Sequence, residues 1–250
     1  MQTYRARRVL RTEPSGSSWP VLVETDAGIF YTKLKGAAQA PASLVAETIV
    51  GGLADALGLP VPARVLVELS SDVRIDDPRY ELRRLVRASA GLNLGFQALP
   101  EARRFHATDV GLVDPERASR IVWLDGLVQN SDRTIQNPNL LWSHDQLWLI
   151  DHGASLGFQH SWSRVTEQAP RGGWPAANHA LSSRATDLRL VDASMAERLG
   201  RSTLESMLET VPDEWLLNEN DGNGGARRRR RAAFVAFLWK RLKSPRPFVP

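Results

Sequence analysis

The chain has 250 residues, 42% of them hydrophobic and 24% charged, the make-up of a globular chain long enough to bury a core. It has no cysteine, which excludes disulfide staples and cysteine–zinc sites. No apolar run approaches the ~18 residues of a membrane span, the basic first residues are not followed by the apolar stretch of a secretory leader, and the net charge of +4 is too mild to point to nucleic acid, so a cytoplasmic protein is expected.

Residues 4–10 read as a first strand, and 21–25 and 29–34 as two more joined by a turn at 26–28. The small-residue loop between, at 14–18, is placed to cover phosphates with backbone N–H groups. Alternation puts Lys33 and Lys35 on one face with Tyr31, so it does not separate them. Ser43 reads as the N-cap of a helix reaching Leu57, with Val45, Ile49, Leu53 and Leu57 on one stripe. Thr48, Gly51 and Asp55 fall opposite, and Glu47 on the rim between. Gly58, Pro60 and Pro62 stop that helix. Residues 63–69 and 80–86 read as strands, and 87–95, rich in small residues, as a connection. Ala118, Ile121, Val122, Leu124, Leu127 and Val128 sit at near-helical spacing in a helix that delivers the chain to Asp132, with Trp123 in the core.

Residues 130–153 hold the densest polar chemistry. Leu140 to Trp142 and Leu147 to Ile150 are short apolar runs around a polar turn, which is a hairpin signature. Folding at that turn sets position 138 opposite 151, so Asp151 lands beside Asn137 and Asn139, with Asp132 one loop further back. A carboxylate and a neutral amide oxygen are hard ligands suited to Mg²⁺, and a second aspartate nearby orients or deprotonates a hydroxyl.

Asp132-x-x-x-x-Asn137, a short hairpin, then Asp151-His152-Gly153 resembles the catalytic loop and metal-binding Asp-x-Gly of the protein-kinase-like superfamily. The Asn130-x-Asp132-Arg133 opening and Asn139-Leu140-Leu141 narrow the resemblance to HipA-like kinases, with the phosphatidylinositol kinases more distant. Gly58-Leu59-Pro60-x-Pro62 followed by a strand is similar to that group too, and the chain resembles its short single-domain members end to end. Departures are Asn130-Ser131-Asp132 in place of His-Arg-Asp, Thr134 where full-length HipA toxins carry a histidine, and His152 in place of the phenylalanine of Asp-Phe-Gly.

The resemblance implies an α+β, two-lobed protein-kinase-like fold: a small β-rich N-lobe with one main helix over about residues 1–88, and a mainly helical C-lobe over about 89–250. It implies a phosphotransferase dependent on ATP and Mg²⁺, a serine/threonine protein kinase of HipA-like type. Asp132 would act on the acceptor hydroxyl, and Asp151 with Asn137 would hold Mg²⁺; Asn137 has the family's spacing, while Asn139 has its Asn-Leu-Leu context. Lys33 would contact the nucleotide phosphates, fixed by Glu47, with Lys35 the neighbouring alternative. A small-molecule or lipid kinase, and a nucleotide-binding pseudokinase acting through a regulatory protein partner, are the rival readings. Neither a membrane nor direct nucleic-acid contact is expected.

The segment 154–179, with Trp162, Pro170, Gly172, Gly173, Trp174 and Pro175, either shapes the acceptor site, as it does in kinases, or is a surface loop held by its tryptophans. Helices are expected at 184–199 and 202–208, then a turn at 212–217, a Gly/Asn-rich linker at 218–226 and a last helix. Arg227 to Arg231 open that helix against its dipole, which hints at a carboxylate or phosphate partner, although a solvated face is the simpler reading. Ser15, Ser17 and Ser18 are candidate autophosphorylation sites.

Overall fold

Alternating apolar residues build the first sheet, in which Val9, Val21, Val23, Phe30, Val67 and Leu69 form one buried cluster. The structure, a computed structural model, describes residues 1–12, 20–37, 41–216 and 224–250. The loop at 14–18, with Ser15, Ser17 and Ser18, and most of the 218–226 linker lie outside the described residues.

The strands are β1 (Thr3–Thr12), β2 (Val21–Thr25), β3 (Gly28–Lys33), β4 (Arg64–Leu69), β5 (Arg74–Ile75) and β6 (Gly91–Gln97). Their order is β2-β3-β6-β4-β1-β5, and β2 also pairs with β1, so five of the strands close a ring. β1 makes this possible by changing partners along its length. Thr3 to Arg5 run parallel to β4, and from Ala6 onward the strand runs antiparallel to β2, with register shifts that bend it.

Two expectations for this half are corrected. Residues 80–86 are not a strand but part of helix α2 (Tyr80–Ala88). Leu82 and Val86, four apart, join the inner cluster of the sheet, while Arg83, Arg84 and Arg87 face outward. Residues 87–95 are not simply a connection: they end α2 and enter β6, an inner strand between β3 and β4, so the sheet continues past residue 88. The small residues are there for close packing. A Cβ at Gly95 would lie 2.7 Å from Val67 Cγ2 and 2.8 Å from Val65 Cγ2. Asn93, fully buried, spends its amide on the carbonyls of Ser89 and Gly91 and on the Lys35 N–H.

Helix α1 (Ala42–Ala56) starts one residue before the expected cap; Pro41 holds the N-cap position and Ser43 lies inside the first turn. The Val45–Ile49–Leu53–Leu57 stripe is buried as read, but Glu47 and Thr48 are buried too. A second cover, α5 (Arg201–Glu209) and the 3₁₀ turn Asp213–Trp215, packs on α1, and Glu47 is closed over by Lys33 and the turn at Gly153. Gly58, at φ +67°, closes the helix in a Schellman motif, its N–H donating to Asp55 O and that of Leu59 to Ala54 O. Gly58→Ala is expected to cost about 1 kcal/mol, the left-handed penalty of an L side chain, read as a lower urea midpoint with an unchanged slope.

In the second half, Asp114 caps α3 (Pro115–Val128) by accepting from the Arg117 N–H at 2.8 Å. Trp123 is fully buried, as expected of a core residue, and donates to Asp192 in α4 (Arg189–Glu197). The last helix, α6 (Gly224–Leu242), takes in the end of the expected linker. Its buried Arg241 donates to the carbonyls of Gly126 and Leu127 at the end of α3 and to those of Pro170 and Gly172. The arginine run is not a wholly solvated face. Arg231 reaches Asp213 and the carbonyls of Leu208 and Val211, and Arg230 lies over the Trp162 ring; Arg228 and Arg229 are exposed. The carboxylate partner is thus within the chain.

β7 (Arg103–Arg104), β8 (Leu140–Ser143) and β9 (Gln146–Leu149) form a second sheet. β8 and β9 pair in the register read from the turn, Leu140 with Leu149 and Ser143 with Gln146. His144 and Asp145 take φ of 47° and 58°, the positive pair a two-residue hairpin turn demands. Among the described residues no helix is long and apolar enough to cross a membrane.

Candidate active site

Lys33 is the last residue of β3, Glu47 lies in the second turn of α1, and Asp151 follows β9 in a left-handed turn at φ 55°. The Lys33 ammonium sits between the two acids, with Nζ 2.5 Å from Glu47 Oε1 and 2.7 Å from Asp151 Oδ1. Gly153 allows the turn to come this near α1, since a Cβ there would lie 3.2 Å from Ser43 Cβ and 3.5 Å from Glu47 Oε1. Burial opposes the Lys33 charge, but the two carboxylates win and hold its pKa above the ordinary value. Complete burial pushes the Glu47 carboxyl up despite Lys33. Asp151 is also partly desolvated, but the Lys33 charge holds its carboxyl below the usual range. Lys35 goes elsewhere, its Nζ lying 2.9 Å from Glu214 Oε1.

Asp132 is organised by amides. Its Oδ2 accepts from Asn137 Nδ2 at 2.9 Å and from Asn139 Nδ2 at 3.0 Å, and its own N–H donates to Asn130 Oδ1 at 3.0 Å. A carboxylate only accepts, so both amide nitrogens face Asp132 and both amide oxygens point away from it. The two asparagines gather on Asp132, while the Asp151 carboxylate is bonded to Lys33. The hairpin links the two aspartates through its backbone, with Ile150 N–H donating to Asn139 O at 3.1 Å.

Sequence reasoning missed the layer beneath. Asp125 and Arg133 are buried, with Arg133 Nε donating to Asp125 Oδ2 at 2.6 Å. Arg133 also reaches the carbonyls of Asn139 and Ile150 and the Nδ1 of His152. That contact makes His152 an acceptor at Nδ1, and burial, followed by the Arg133 charge, holds its imidazole down to about 3, so it is neutral. Asp125 did carry a signal: a carboxylate in the middle of the apolar run 121–128 has to find a buried partner. Arg133 was visible only as a letter of the motif, and His179, which also bonds to Asp125, had no local signal.

A ring of strands with helices α1 and α2 precedes a mainly helical half that carries Asp132 and Asp151, and likeness to a solved kinase shows a kinase fold. The chain aligns with the crystal structure of a Helicobacter pylori proinflammatory kinase, CtkA, at TM-score 0.54 and 10% sequence identity, covering 96% of this chain and 93% of that one. No protein of curated function matches the sequence. The family model for HipA-like kinases matches residues 6–236, and the chain belongs to the HipA-like kinase family, which makes it a phosphotransferase.

Proposed function

We propose that this protein transfers the γ-phosphoryl group of ATP to a serine or threonine hydroxyl of a protein, with Mg²⁺ as the required metal. The observation that carries the reading is the Lys33 ammonium held between Glu47 and Asp151, residues 14 and 118 positions further along the chain. The donor set fits the metal. Asp151 already faces a cation, and the Asn137 amide oxygen is turned away from Asp132 on an exposed side chain. Among the described residues no three acidic or histidine side chains cluster to hold a metal, which suits an ion bound by one carboxylate, an amide oxygen and substrate phosphates.

Each residue then has a role. Asp151 and Asn137 hold Mg²⁺, which when bound neutralises the phosphate charge. Lys33, fixed by Glu47, lies against the phosphates, and the N-terminal sheet with α1 serves as the nucleotide lobe. Asp132 keeps Oδ2 on the two amides; among the described residues its Oδ1 makes no hydrogen bond and is free to take the acceptor's O–H. Catalysis of this kind is mostly positioning and charge stabilisation.

Incubation with labelled ATP and Mg²⁺ tests the reading, using serine- and threonine-containing peptides, phospholipid vesicles and small alcohols as acceptors. Phosphopeptide is the expected product; label in lipid or in a small alcohol instead overturns the protein-acceptor assignment, and bound ATP without ADP release overturns transfer itself. In the same assay Lys33→Met should lower turnover by about 10²-fold or more, while Lys35→Met stays near wild type.

A further inference from the structure

Behind Asp132 lies a carboxylate that gathers two residues of the Asp132 loop and one from the distant segment after Asp151. Asp125 is fully buried in α3. Its Oδ1 accepts from Asn130 Nδ2 at 2.9 Å, and its Oδ2 from Arg133 Nε at 2.6 Å and from His179 Nε2 at 2.9 Å. Asn130 and Arg133 flank Asp132, and Asn130 passes the hold on, because its Oδ1 accepts the Asp132 N–H at 3.0 Å. His179 comes from the far end of the segment that leaves Asp151. Its Nδ1 accepts from the Leu181 N–H at 3.1 Å, so Nε2 is the nitrogen that donates to Asp125.

The backbone repeats the connection. Thr134 and His179 form a β-bridge, Ile135 N–H donates to Asn178 O, and Ala180 N–H donates to Arg133 O. Trp174 donates its indole N–H to Asn130 O at 2.8 Å and sets its ring edge-on to His179. The stretch 174–180 therefore lies alongside the loop 130–135, joined to it by an isolated β-bridge, and His179 is its one side chain bonded to the buried Asp125 carboxylate.

We propose that His179 is a positioning residue for Asp132, through which the segment after Asp151 fixes the loop that carries it. This rests on the reading of Asp132 as the group that orients the acceptor. In the absence of the imidazole, Asp125 retains Asn130 and Arg133, and the 174–180 stretch keeps its backbone bonds to the loop but loses its side-chain tie to the buried carboxylate. Nucleotide contacts at Lys33, Glu47 and Asp151 stay in place, so the loss falls on turnover rather than on ATP affinity.

The test compares wild type, His179→Ala, His179→Gln and Asp132→Asn by three measurements: Mg·ATP affinity by calorimetry, the rate of ADP release, and amide hydrogen exchange. His179→Ala should keep the ATP Kd within about threefold and lose roughly 10- to 100-fold in kcat, the scale of an ångström-level misplacement. Exchange should quicken at 130–135 while the β4 amides stay protected. His179→Gln, which again offers an N–H to Asp125, should recover most of the lost rate. Wild-type kcat and exchange in His179→Ala overturn the proposal, as does an ATP affinity that falls in step with kcat. If Asp132→Asn turns over like wild type, or wild type releases no ADP, the reading of the site fails separately. Exchange then decides: quickening confined to 130–135 in His179→Ala supports the anchoring role, and unchanged exchange overturns it.

Discussion

Asp151→Asn should abolish Mg²⁺-dependent turnover, by about 10³-fold, and leave the protein folded. Two features make this the sharpest substitution at the site. Asp151 adopts φ 55°, and asparagine is among the few residues that tolerate that left-handed conformation, so the turn keeps its shape. The change removes a charge without removing volume. In the wild type that charge is shared with Lys33 at 2.7 Å and is the carboxylate proposed for the metal. The amide leaves Lys33 with Glu47 alone, so the ammonium stays in place while the metal loses its charged ligand. Calorimetry of ATP binding with Mg²⁺ and with a chelator separates the two effects. Wild-type affinity should depend on Mg²⁺, and the variant should bind weakly with or without it. An Asp151→Asn protein with undiminished turnover removes Asp151 from the metal site.

The parts of this fold that were legible are those whose register or period the chain fixes locally. Short apolar runs around His144-Asp145 leave one sensible pairing, and β8 and β9 adopt it. The stripe of α1 follows from helical spacing alone, and Gly58 marks the helix end because few other residues accept its φ. What stayed hidden depends on what lies opposite. Glu47 looks like a rim residue until Lys33 of β3 and the turn at Gly153 close over it. Residues 80–86 hold too few apolar positions for alternation to be told from a four-residue period, and packing of Leu82 and Val86 on the sheet decides it. The small residues of β6 look like a connection, yet Gly95 is needed where Val65 and Val67 of β4 crowd the backbone, and Asn93 bonds buried backbone groups. Alternation puts Lys33 and Lys35 on one face, but β3 ends at Lys33 and Lys35 lies in the turn beyond, so their separation, one toward Asp151 and one toward Glu214, is a long-range outcome. His179 is the extreme case: nothing within ten residues of it announces a buried carboxylate 54 positions upstream.

The largest effect on stability is expected from Asp125→Ala, at about 3–5 kcal/mol. Asp125 and Arg133 both have fully buried side chains, and truncating the aspartate leaves a guanidinium in the interior without its counter-charge. Carbonyls of Asn139 and Ile150 still accept from Arg133, but carbonyl dipoles do not replace a carboxylate, and His179 Nε2 and Asn130 Nδ2 lose their acceptor as well. Burial by itself would raise the Asp125 pKa; the Arg133 charge and the His179 hydrogen bond more than offset it and hold the carboxyl well below its usual range. A carboxylate depressed in the folded state contributes its stability above the unfolded pKa, near 3.9, and that contribution is lost as the pH falls below it. Urea unfolding at neutral pH should therefore show the full deficit in Asp125→Ala. The gap to wild type should narrow as the pH is taken down through the carboxylate range, because wild type is then surrendering the same interaction. A gap that stays constant with pH would mean that the cost is a cavity rather than a charge. Asp125→Leu with Arg133→Met, which removes both charges while keeping apolar volume, should then recover much of the loss if the charge account holds.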